Sequence, residues 1–154
     1  MSKYISIIFI ATLLSISNFA DAGWFDDKMQ NLIQRRNVEK LEEYLTKLSD
    51  KMSKKLPMHI DKETQIIGVF GYVDEKRKGG VIRYTYKLVN LECKDLSPLD
   101  DTISYLKKQT LATSCSDVNN RKIVKVGVVF ADYFYHDKNM VQCLSFSNNY
   151  AEEC

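Results

Sequence analysis

Histidine, proline and tryptophan are scarce in these 154 residues, with two, two and one respectively. The two histidines, His59 and His136, belong to no His-Glu-x-x-His pair, so the usual zinc-hydrolase motif is absent. No Gly-x-Ser-x-Gly elbow, calcium loop of the EF-hand kind or phosphate-cradling glycine loop occurs either. Cys93, Cys115, Cys143 and Cys154 include no Cys-x-x-Cys spacing, which argues against a zinc ribbon or a thioredoxin-type redox centre. Charge of one sign is missing as well. Lys and Arg number 22 against 20 Asp and Glu, a net +2 that is too small for a nucleic-acid-binding face. The usual parts of an enzyme are therefore wanting, and no catalytic residue, cofactor or metal site is expected.

The first 22 residues are informative. Lys3 supplies a positive start, Ile5 to Ile16 an apolar core, and Ala20-Asp21-Ala22 the small-x-small pattern of a signal-peptidase site. The run is shorter than the ~20 apolar residues of a membrane span, and no later run approaches that length. Residues 1–22 are thus expected to be a signal peptide and 23–154 a single domain, soluble and outside the cytoplasm. Roughly 130 residues suffice for a real hydrophobic core. Gly23 rather than a cysteine follows the cleavage site, so no lipoprotein-type anchor is expected. Outside the cytoplasm disulfides persist, and an even cysteine count reads as two structural bridges. The proportions of the signal point to the Gram-negative periplasm, or to secretion.

Asp26 and Asp27 suit a helix N-terminus. From Met29 through Leu32, Ile33, Val38, Leu41, Leu45, Leu48 and Met52 an apolar stripe recurs at helical spacing, with a possible break at Arg36-Asn37, and ends at Leu56-Pro57. The period then becomes alternating. Gln65 to Val73 reads as a strand, Asp74 to Gly80 as a hairpin loop, and Val81 to Leu91 as its partner. In that partner Ile82, Tyr84, Tyr86 and Leu88 share one face and Arg83, Thr85 and Lys87 the other. Ser97-Pro98-Leu99-Asp100 opens a short helix to about Ala112. Cys115 to Asn120 reads as a polar loop and Ile123 to Tyr135 as a long strand. Asp137-Lys138-Asn139 then forms a turn, Met140 to Phe146 a last strand, and Asn148 to Cys154 an irregular tail.

This order predicts an α+β domain: an N-terminal amphipathic helix and a short second helix packed on an antiparallel sheet of four to five strands. The layout resembles the cystatin-like architecture. The cystatin hairpin motif Gln-x-Val-x-Gly is not matched, because Gln65-Ile66-Ile67-Gly68-Val69 ends in Val, so cystatin-type protease inhibition is not implied. Leu56-Pro57, Asp61, Thr64, Tyr84-Thr85-Tyr86, Cys115, Arg121, Gly127, Tyr133-Phe134-Tyr135 and Cys154 are together similar to the pattern of small exported bacterial proteins of unassigned activity. That resemblance implies a fold and a compartment and brings no catalytic residue.

Four cysteines allow three pairings. Cys115 precedes the long strand and Cys154 follows its hairpin partner, so both fall at one end of the sheet. That favours Cys115–Cys154 and leaves Cys93–Cys143. Rows of tyrosine offer large contact areas with polar tips, which makes Tyr84, Tyr86, Tyr133 and Tyr135 the candidate binding surface against the simpler reading of sheet core. The cluster Lys76-Arg77-Lys78, flanked by Asp74 and Glu75, reads as a solvated loop. The chain is accordingly expected to be a non-enzymatic binding protein with a protein partner and no nucleic acid, an inhibitor or immunity-type protein. The alternative is an accessory subunit of an envelope or secretion apparatus. A small hydrolase using His136 and a neighbouring acid is the distant third.

Overall fold

A computed structural model describes residues 38–154. The signal peptide expected over 1–22 and the helical stripe before Val38 lie outside the described residues.

The amphipathic stripe forms α1 (Val38–Ser53), which buries Tyr44, Leu45, Leu48, Ser49 and Met52. β1 (Met58–His59), β2 (Thr64–Asp74) and β3 (Gly79–Leu88) follow, then a 3-10 turn (Cys93–Leu96) and α2 (Leu99–Ser116). The chain continues through α3 (Val118–Lys125), β4 (Val128–His136), β5 (Gln142–Asn149) and a short α4 (Tyr150–Glu153). The five strands stand in the sheet in chain order, β1 to β5. Among the described residues no helix is long and apolar enough to cross a membrane.

The α+β class is as expected, with one correction to the sheet. β3 and β4 run parallel, while the other three pairings are antiparallel. A parallel pair needs a long crossover, and α2 with α3 supplies it. The stretch expected as the first part of the long strand belongs to that crossover. Ile123 and Val126, one helical turn apart, are both buried, so in α3 tertiary packing overrides the β propensity of Ile123-Val124. Gly127, at φ +100°, then ends the helix and turns the chain into β4, a conformation costly for any residue with a side chain. The expected polar loop 115–120 likewise becomes the end of α2 and the start of α3. The tail is not irregular: Asn148 and Asn149 complete β5, and the Asn149 side chain caps α4 by accepting from Ala151 N at 3.2 Å.

Alternation along the strands sorts residues into two faces. The inner face carries the rows Gly71–Ile82–Ala131–Asn148, Val69–Tyr84–Tyr133–Phe146 and Ile66–Tyr86–Tyr135–Leu144. It packs with Leu45, Leu48 and Met52 of α1, Leu106 of α2 and Ile123 and Val126 around α3 as one core. The closest approach is at Gly71. A Cβ there would stand 3.0 Å from the Leu45 carbonyl oxygen and 3.0 Å from Ser49 Oγ, so only glycine lets α1 lie this near β2. Ser49 Oγ also accepts from Gly71 N at 2.6 Å. β1 pairs with Gln65 and Ile66 on the same side of β2.

Candidate functional site

The four tyrosines expected as a binding surface lie inside. Tyr84, Tyr86, Tyr133 and Tyr135 are 0–2% exposed, and they stack with Phe146 as a continuous aromatic layer. Ring centroids are 4.6 Å apart for Tyr86–Tyr135, 5.5 Å for Tyr84–Tyr133 and 4.8 Å for Tyr133–Phe146. Tyr133 and Tyr150 share a hydroxyl contact of 2.6 Å, and Ser114 donates to the Tyr150 hydroxyl at 3.1 Å. Burial pushes the Tyr84, Tyr133 and Tyr135 phenols well above their ordinary range. This layer is core, not surface.

Both disulfides have the expected partners. Cys93 bonds Cys143, with Cα atoms 5.0 Å apart, and Cys115 bonds Cys154 at 5.3 Å. The parallel β3–β4 pair explains the first: the end of β3, the end of β4 and the start of β5 meet at one end of the sheet. Asp137 approaches this bridge, and its oxygen lies within 4.8 Å of both sulfurs. The sulfurs are bonded to each other, so neither is a thiolate able to hold a metal. His59 and His136 belong to separate places. His59 Nε2 meets Gln65 Nε2 at 2.6 Å, and His136 sits at the end of β4.

The outer face of the sheet carries what the sequence reading left unassigned. Its rows are Tyr72–Val81–Phe130–Asn149, Phe70–Arg83–Asp132–Ser147, Gly68–Thr85–Phe134–Ser145 and Gln65–Lys87–His136–Gln142. Arg77, from the β2–β3 loop, reaches over this face and uses every donor of its guanidinium. Nη1 donates to Asp132 Oδ1 at 2.7 Å and Ser147 Oγ at 3.2 Å. Nη2 donates to Asp132 Oδ2 at 3.0 Å and the Tyr72 hydroxyl at 2.9 Å, and Nε donates to Asp74 Oδ2 at 2.7 Å. The guanidinium also lies 4.9 Å from the Phe130 ring centre. Asp132 further accepts from Ser147 Oγ at 2.8 Å and from the Tyr72 hydroxyl at 3.1 Å. Burial alone would raise the Asp132 carboxyl, but the Arg77 and Ser147 hydrogen bonds, the Arg77 charge and the Tyr72 hydroxyl together hold it below the usual carboxylate range.

Arg83 is held differently. Its guanidinium stands 4.7 Å from the Phe134 ring centre and 5.3 Å from that of Tyr72. Nη2 donates to the Tyr72 hydroxyl at 3.0 Å and lies 3.6 Å from Asp132 Oδ2. Its side chain is 41% exposed. Beside it in register, Phe70 is 59% exposed, the most open aromatic among the described residues. One sequence signal could have marked this face: Asp132 is a lone acid inside the aromatic run Val128–His136, and an acid in a buried strand calls for a cation.

The sheet also ends unevenly. β5 is the last strand, so every second backbone N–H and C=O along it points away from β4. Of these groups, Asn149 N is met by Glu153 Oε2 at 2.8 Å. The sequence of β5, Gln142 to Asn149, contains no charge and no proline, the residues that usually guard an edge.

No family model matches the chain, and no curated protein matches it. Two solved structures share its fold. One is a Pseudomonas aeruginosa protein with a provisional description as secreted. It has a TM-score of 0.58 and 14% identity, over 76% of this chain and 96% of that one. The other is the pilotin EpsS of the Vibrio vulnificus type 2 secretion system, with a TM-score of 0.54 and 11% identity, over 74% of this chain and 92% of that one. At these identities the likeness is one of fold alone.

Proposed function

We propose that the protein is an exported, disulfide-bonded binding protein that serves as an accessory subunit of an envelope or secretion apparatus, acting by binding a protein partner and not by catalysis. Export is supported by the signal-like first 22 residues and by two disulfides, which persist in oxidising compartments. The pilotin fold likeness favours the accessory role over the inhibitor role, for which no separate observation speaks.

The observation that carries this reading is the β5 edge. On one side of the sheet β1 pairs with two residues of β2 and Ser49 takes the Gly71 N–H. The other side is bordered by β5, eight residues without a charge, of which Asn149 N is already met by Glu153 Oε2 and Cys143 is bonded to Cys93. A polypeptide adding to such an edge gains main-chain hydrogen bonds at once, with side chains setting specificity. Affinity capture from an envelope extract tests it, with the processed protein and its Ser145→Lys variant as baits. Ser145 is exposed, so lysine there places a charge on the edge strand with little effect on folding. A discrete partner held by the first bait and lost with the second is the expected result. Equal capture by both would remove the edge from the account.

A further inference from the structure

The outer face divides by charge. Around Arg77 the acids are spent: both Asp132 oxygens take Arg77 donors, and Asp74 takes Arg77 Nε and two backbone N–H groups. Further along the strands, the rows Gly68–Thr85–Phe134–Ser145 and Gln65–Lys87–His136–Gln142 contain no acid. Two cations stand there on one strand. Lys87 has no carboxylate within salt-bridge distance among the described residues. Arg83 is only grazed by Asp132 at 3.6 Å; its Nε is buried and has no hydrogen-bond partner, and of its terminal nitrogens Nη2 is the one held, by the Tyr72 hydroxyl.

Arg83 is also fixed in place. Rings of Tyr72 and Phe134 flank its guanidinium, and the Tyr72 hydroxyl holds Nη2. A clamped arginine whose exposed end is not fully neutralised loses little entropy when it meets a carboxylate. Gly68 and Thr85 keep the surface beside it low, between the exposed Phe70 and the half-buried Phe134. Arginine and aromatic side chains are enriched among the few residues that dominate binding at protein interfaces.

We infer that the stretch from Arg83 to Lys87 is the docking site for an acidic segment of the partner protein: two carboxylates at a spacing of about 13 Å, four residues along an extended chain, separated by an apolar side chain. Arg83 takes one carboxylate, Lys87 the other, and Phe70 and Phe134 pack on the residues between. This deepens, and rests on, the reading of the protein as a binding module. The exposed aromatics favour a polypeptide over a small anion, because they offer apolar contact that an inorganic ion cannot use.

The test is a nuclear magnetic resonance titration of the processed protein. The probe is the blocked peptide acetyl-Glu-Thr-Val-Thr-Glu-amide, whose central Val shares a face with both Glu side chains, and its Gln-for-Glu analogue is the control. The Arg83 Nε–H and the Thr85 amide signals are expected to shift and saturate with the Glu peptide. Affinity should be at least tenfold weaker with the Gln peptide and should fall with added salt. Lys87→Gln, on an exposed-side position away from the core, and Arg83→Gln should each weaken binding at least threefold. Equal response to both peptides, or shifts confined to another surface, would overturn the site. Capture of a partner from envelope extract separates the two levels. If Arg83→Gln and Lys87→Gln proteins retain the partner that the unaltered protein captures, this site is wrong while the binding role stands. If the unaltered protein captures none, both fall.

Discussion

Arg77 and Asp132, 55 residues apart in sequence, meet in a two-bonded pair: Nη1 to Oδ1 at 2.7 Å and Nη2 to Oδ2 at 3.0 Å. Asp132 is 8% exposed and Arg77 28%. Asp132→Asn leaves Arg77 with Asp74 as its remaining carboxylate partner and removes two charge-assisted bonds, so the expected loss is about 1–3 kcal/mol in urea denaturation. Replacing both partners together should cost less than the two single changes added. The pair also sets an acid limit. The folded carboxyl titrates below the unfolded value of about 3.9, so its contribution is fully present above that value and is lost as pH falls through the folded one. Asp132→Asn should flatten this part of the stability–pH curve, and an unchanged curve would show that other carboxylates set the acid limit.

At the alkaline end the buried tyrosines decide. Tyr84, Tyr133 and Tyr135 have phenols pushed well above the ordinary value of about 10 by burial. Below that value their contribution is fully present. Above it the unfolded chain releases protons that the folded one keeps, so stability declines as pH rises. Tyrosinate absorbance should therefore appear in one cooperative step together with unfolding. A gradual, non-cooperative rise covering all eight tyrosines of residues 23–154 would mean the aromatic layer is open to solvent.

The Cys115–Cys154 bridge closes a sequence separation of 39. In the chain-entropy model this is worth about 3–4 kcal/mol. Replacing both cysteines by serine should lower Tm clearly and make the segment after Asn149 sensitive to protease. Non-reducing peptide mapping checks the pairing itself, and a linked Cys93–Cys115 peptide would contradict it.

Gly71 tests the seat of α1. Gly71→Val places a branched side chain against the Leu45 carbonyl and Ser49, already 3.0 Å from a bare Cβ. The helix must move off β2, at an expected cost of about 1–3 kcal/mol from overpacking, read as a lower urea midpoint. Gly68→Ala, facing Thr85 at 3.3 Å on the outer side, should cost less.

The two-face sorting of β3 was legible because polar residues alternate there with Ile82, Tyr84, Tyr86 and Leu88. The same alternation already set Tyr84 and Tyr86 apart from the wet face of Arg83, Thr85 and Lys87. In β4 aromatics occupy both faces, as in Tyr133-Phe134-Tyr135, and alternation alone does not tell inside from outside. The parallel β3–β4 pair was hidden because the β-branched run at Ile123 concealed α3 and made the crossover look short. Arg77 read as a solvated loop cation because its partner Asp132 lies on a strand far along the chain. The cysteine pairing survived the wrong strand direction because each bridge joins segments that meet at an end of β5, Cys143 near its start and Cys154 past its end.

The central claim, that the protein works by holding a protein partner at the β5 edge, is tested most directly by a photo-cross-linking amino acid placed at Ser145 in living cells. The same label at Asp50, exposed on α1, serves as the control. A discrete cross-linked species from position 145 and none from position 50 is the predicted result. No cross-link from position 145, or the same products from both positions, would contradict the claim.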